Sequence, residues 1–231
     1  MKEAQKNLLI ILSISAVTVA GWQFETGRLI LYPFTVLGTW FHEMGHGLAA
    51  LVLGGSFHEL VIYSNGSGYA QWSGDLFLGN IGKALVAAFG PIGPTIAGSI
   101  FIISSKDEKW TKWALIILAI LLLISGVYWV RSWFGTPVVL FFGLLSSFVV
   151  YMGSPSLQKY TVLFLGVQAC LSVYLSIDYL FMPLANVTGE DHLSDTNVIS
   201  TFLFLPHWFW GGLIVFISVI AIWKSLKYAL K

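Results

Sequence analysis

The stretch LILYPFTVLGTWFHEMGHGLAALVL, residues 29–53, decides how the rest of the chain is read. As a helix it is long enough to cross a hydrocarbon core, which takes about 20 apolar residues. Inside it stands His42-Glu43-Met44-Gly45-His46. Residues four apart stack on one helix face, so His42 and His46 can grip one ion, while Glu43 is turned by about 100°. A charge in the middle of an apolar span costs at least about 2.5 kcal/mol. The neighbours Phe41, Met44, Leu48, Ala49 and Ala50 give no structural reason to bear that cost. The spacing is the His-Glu-x-x-His signature, in which two imidazoles fix zinc and the glutamate takes a proton from water. The structural alternative is a pair of core histidines hydrogen-bonded to another helix.

Outward from this helix the chain keeps the same character. Of 231 residues 57% are apolar and 10% charged, and the mean hydropathy is +0.81. Soluble domains carry about 25% charged residues, so this composition cannot clothe a water-facing surface. It points to a multi-pass integral membrane protein of the cell membrane, with the lipid bilayer as its surroundings. Apolar runs at 8–22, 29–53, 81–103, 113–130, 137–152, 160–182 and 202–223 predict an all-α polytopic fold with six to seven transmembrane helices. The first run follows Lys2 and Lys6 and has a possible cleavage site at Thr18-Val19-Ala20. It reads best as an uncleaved first span. Residues 1–231 are expected to form one membrane-embedded domain. A net charge of +1 argues against nucleic acid as a partner. The lone Cys170 excludes an intrachain disulfide, and five scattered histidines are too few for a membrane di-iron cluster.

Two segments break the helical pattern. Strand formers around the Asn65-Gly66 turn predict a β-hairpin over residues 57–72. Gly90-Pro91-Ile92-Gly93-Pro94 predicts a kinked or interrupted helix, because two backbone donors are missing. Irregular backbone at membrane depth survives only against protein or a watery cavity. A protected cavity beside the 29–53 helix is therefore expected. In the hairpin, Leu60, Val61, Ile62 and Tyr63 would offer an open edge on which an extended substrate adds as a strand. An inert interfacial hairpin accounts for the same residues equally well.

A catalytic zinc takes a third protein ligand and keeps one open position. Candidates are Asp75, Asp178 in an apolar run, and Glu190, Asp191, His192 and Asp195 in a polar loop at about 183–200. Ser194 or Asp195 could instead cap the following helix, and Asp178 could bond within the bundle. By spacing alone Asp195 and Asp178 stand level.

One ordered series of short motifs adds a resemblance. It runs from His42-Glu43-Met44-Gly45-His46-Gly47 through Leu53-Gly54-Gly55 and the hairpin glycines Gly66 and Gly68. It continues with Ala88-Phe89-Gly90-Pro91, Arg131 before Phe134-Gly135, and Gly153-Ser154-Pro155. Ser194-Asp195-Thr196 follows, ahead of Leu205-Pro206 and Trp208. Together these resemble the site-2 protease family of intramembrane zinc metallopeptidases, most closely its small members without extra domains. The resemblance implies one zinc ion per chain, His42 and His46 as ligands, and Glu43 as general base. It also implies Asp195 as third ligand, with Asp178 the runner-up. The implied reaction is hydrolysis of peptide bonds in or near transmembrane segments of membrane protein or peptide substrates. Better-known members carry an Asp-Gly pair in a later span, which this chain lacks, and an Asn where Pro94 stands. The rival readings are a non-catalytic metal-binding scaffold of the same fold and, suggested by the proline-broken run, a transporter.

Overall fold

The computed structural model describes residues 3–187 and 190–231. The chain begins with α1 (Glu3–Gly21) and α2 (Glu25–Val52), then a hairpin of β1 (Ser56–Ile62) and β2 (Gly68–Ser73). Four long helices follow: α3 (Asn80–Ser104), α4 (Glu108–Tyr128), α5 (Gly135–Met152) and α6 (Pro155–Leu175). The short α7 (Ile177–Phe181) leads into a second hairpin, β3 (Leu184–Val187) and β4 (Glu190–Leu193), then α8 (Asp195–Phe202) and α9 (His207–Ala229). That second hairpin lies where the sequence reads as a polar loop.

Helix starts follow local chemistry. The Asp107 carboxylate accepts from the amides of Lys109 and Trp110 at the head of α4. Ser154 caps α6 ahead of Pro155, and Ser194 caps α8 by accepting from the Asn197 amide. Such caps satisfy donors that the first helical turn leaves free.

Among the described residues, α3, α4, α5 and α9 are each long and apolar enough to cross a membrane. α1 and α2 meet at 117° and pass that test only as one bent pair, which brings the total to five. The six to seven crossings expected from the sequence are therefore not all found. The physical reason is polar dilution: α2 carries Glu25, Arg28, Glu43 and two histidines, and α6 carries Gln158, Lys159 and Gln168.

Of the kink or interruption expected at Pro91 and Pro94, the interruption is absent: both prolines lie inside the one helix α3. The glycines of the same stretch serve close packing instead. A Cβ on Gly93 would press on the Phe41 carbonyl, and one on Gly45 would collide with the Phe89 carbonyl across the interface. α2 and α3 thus pack backbone to backbone, which small residues allow in membrane bundles. The largest core cluster gathers Trp40, Leu60, Ile62, Leu115, Leu122 and Val130. Within it the Trp40 indole N–H donates to Ser125 Oγ at 2.9 Å.

The first hairpin is antiparallel, with Leu60 opposite Ala70, Val61 opposite Tyr69 and Ile62 opposite Gly68. Its tip is fastened to α2: Tyr32 Oη donates to the Ser64 carbonyl and Thr39 Oγ1 to the Gly66 carbonyl. The outer edge of β1 is not open, contrary to the expectation for Leu60, Val61, Ile62 and Tyr63. The Leu60 amide donates to the Trp129 carbonyl at 2.8 Å, and its carbonyl accepts from the Arg131 amide at 2.9 Å. The Ile62 amide donates to Ser132 Oγ at 3.1 Å, while the Tyr63 amide turns inward to the Ser67 carbonyl. Leu60, Val61 and Ile62 are buried as well. The segment joining α4 to α5 covers that edge, with an isolated parallel bridge between Leu60 and Val130.

Candidate metal centre and active site

α2 presents His42, Glu43 and His46 to a cavity of about 740 Å³. Asp195, the first residue of α8, enters the same cavity from the far end of the chain. Its Oδ2 lies 2.9 Å from His42 Nε2 and its Oδ1 lies 3.3 Å from His46 Nε2. One ligand atom from each of these three residues falls within 4.8 Å of the others, a group able to hold a metal ion. Ser194 takes the capping role, which leaves the Asp195 carboxylate free to face the histidines.

The surroundings fix the chemistry of this set. His46 Nδ1 lies 2.8 Å from the Val86 carbonyl, which can only accept. Nδ1 therefore carries the proton, and a neutral His46 turns the lone pair of Nε2 toward the Asp195 carboxylate. Two electron-rich atoms facing each other call for a cation between them, and a third donor from His42 suits a metal ion better than a proton. The donor set of two imidazoles and one carboxylate is of the kind that holds a divalent metal ion, zinc among them. Gly90 of α3 lies directly under His46, since a Cβ there would fall on the imidazole ring. The Tyr179 ring stands edge-on to His42, and its hydroxyl accepts from the Asp195 amide at 3.1 Å.

Glu43 is buried beside this group, and Ala70 of β2 lines the same cavity. β2 lies close along this part of α2, because a Cβ on Gly68 would touch Thr39 and the Glu43 side chain. On the outer face of the hairpin, Tyr69 Oη donates to Glu59 at 2.9 Å. Partial burial and the neighbouring carboxylate push the Tyr69 hydroxyl up to about 12.

The cluster, its helix and its cavity occur together with a match to a family model described as Peptidase M50B-like, over residues 10–225. The chain belongs to that family. No curated protein and no solved structure matches it. Among the ligand candidates in this M50B-like chain, Asp195 meets the histidines and Asp178 does not; Asp178 is exposed on α7. Asp75 is exposed, and Asp191 is exposed and accepts from Asn186. His192 borders the cavity without joining the cluster, and the Glu190 side chain lies outside the described residues. Reading the sequence missed Val86, Gly90, Tyr179 and Ala70 as neighbours of the cluster. Gly90 alone carried a signal, as part of the glycine–proline stretch.

Proposed function

We propose that this protein is an intramembrane zinc metallopeptidase that hydrolyses peptide bonds in or beside transmembrane segments of membrane proteins. The observation that carries the reading is the convergence of His42, His46 and Asp195 within 4.8 Å, with buried Glu43 adjacent on the cavity wall. A zinc ion held there would supply Lewis acidity, polarising a carbonyl and lowering the pKa of a water to about 7. Val86 holds His46 in the tautomer that offers Nε2 as ligand. Glu43 is the general base: its carboxylate takes the proton of the attacking water and hands it to the leaving amine nitrogen.

A helical substrate hides its carbonyls in hydrogen bonds, so the segment to be cut must be extended first. β2 is the strand suited to receive it. Leu60 and Ile62 turn their backbone groups away from β2, so Ala70 and Gly68 opposite them turn theirs away from β1. The face of β2 packs against Glu43 at Gly68, so a substrate strand laid on this free side would lie near the general base.

The test is zinc content and peptide cleavage of purified variants. Wild type and Glu43→Gln are expected to hold one zinc per chain, His46→Ala and Asp195→Ala to lose it, and Asp178→Ala to keep it. Glu43→Gln should lower the rate by about 10²–10⁴, the usual worth of a general base. Full zinc in Asp195→Ala would move the third ligand elsewhere, and full activity in Glu43→Gln would end the peptidase reading.

A further inference from the structure

Lys83 stands in the first turn of α3, half-buried, and lines the same cavity as the cluster. Its ammonium lies 5.4 Å from the centroid of the Phe202 ring. Among the described residues the carboxylate ion pairs are those of Asp195 with the two histidines, and none includes Lys83. A half-buried cation in the wall of a largely apolar cavity, with no carboxylate ion pair among the described residues, would gain from an incoming anion.

Two helices measure its distance from the cluster. On α3, Gly90 lies under His46 and Lys83 is seven residues earlier. On α8, Asp195 meets both histidines and Phe202 is seven residues later. Seven residues span about 10 Å of helix axis. The helices run past each other in opposite directions, with Ala84, Ala87 and Ile199 in one apolar cluster between them. Both measures therefore end at the same ammonium. An extended chain covers about 3.3 Å per residue, so about three substrate residues bridge this gap. Along the way the cavity wall is Ala87 on α3 and Val198 on α8, both apolar.

We propose that Lys83 is a substrate-recognition residue that binds a carboxylate about three residues from the hydrolysed bond, with apolar residues between. This rests on the peptidase reading above. The carboxylate can belong to an aspartate or glutamate side chain or to the substrate's own C-terminus; the recognition chemistry is the same.

The experiment uses the full chain, zinc-loaded in detergent micelles, and matched synthetic apolar peptides whose cut site has been mapped by mass spectrometry. One pair carries Glu or Gln three residues from the cut. A second pair ends at that residue with a free or an amidated C-terminus. Wild type should favour the charged member of at least one pair by about five- to tenfold in kcat/KM, in keeping with a partly desolvated charge-assisted contact. The pair that responds identifies the source of the carboxylate. Lys83→Met should bring that ratio to about one, Lys83→Arg should keep it, and Lys83→Glu should turn the preference toward Lys at the same position. Equal rates within both pairs for wild type, or an undiminished ratio in zinc-loaded Lys83→Met, would overturn the assignment of Lys83. If no cleavage sensitive to Glu43→Gln occurs at all, the peptidase reading falls and the assignment with it.

Discussion

A methyl group at Gly90 would occupy the space of the His46 ring, so the geometry of one candidate ligand depends on a missing side chain on another helix. Gly90→Ala is expected to displace His46 and weaken zinc binding about 10- to 100-fold, the range seen when groups that orient a ligand are disturbed. Competition with a chromogenic chelator would measure it, and wild-type affinity in Gly90→Ala would refute the contact. At this scale the sequence was informative only where partners are close along the chain. His42, Glu43 and His46 could be read because a spacing of four residues fixes their relation on a helix. Asp195 could not be singled out by spacing, because its partner His42 is 153 positions away. Lys83 carries no local pattern at all. In the sequence it is a single charge near the end of an apolar run, and only the fold places it in the cavity wall.

Among elements, the first hairpin gives the sharpest tests. Ala70→Pro would remove a backbone donor from the side of β2 turned away from β1. It is expected to lower kcat/KM at least tenfold while zinc content stays at the wild-type level. Ser132→Ala, which removes the acceptor of the Ile62 amide on the covered side, should cost about 1 kcal/mol of stability instead. Equal catalytic losses in the two variants would refute the division between a free and a covered side. Tyr69 offers a pH test. Its folded pKa of about 12 lies above the ordinary value of about 10, so the fold favours the protonated phenol. That contribution is fully present below pH about 10 and is lost as pH rises through about 12. A difference absorbance titration against Tyr69→Phe should place the missing tyrosine's ionisation near 12. The hairpin itself was legible from Asn65-Gly66 and the strand formers around it. The covering of β1 was not, because residues 129–132 read as a plain connection between helices. The second hairpin escaped because Asn186, Asp191 and His192 are poor strand formers.

For the whole molecule, membrane character was plain from composition, whereas the number of crossings was not. Counting apolar runs treats α2 and α6 like the rest, yet these helices carry the polar residues that a bundle interior or a cavity needs. Because the three ligand candidates come from α2 and α8, a metal ion would join distant parts of the chain. Zinc at 100 times its Kd is therefore expected to stabilise the purified protein by about 2.7 kcal/mol. A rise in Tm of a few degrees for wild type and none for His46→Ala would register it. An equal rise in both would mean that the ion binds elsewhere.

The late position of Asp195 also bears on biosynthesis. While a ribosome is still making α3 to α7, the nascent chain has two imidazoles and a glutamate but lacks the carboxylate that faces them. If the protein is the hydrolase proposed above, its hydrolytic centre is complete only after α8 has emerged and docked, and the half-inserted helices around it are spared until then.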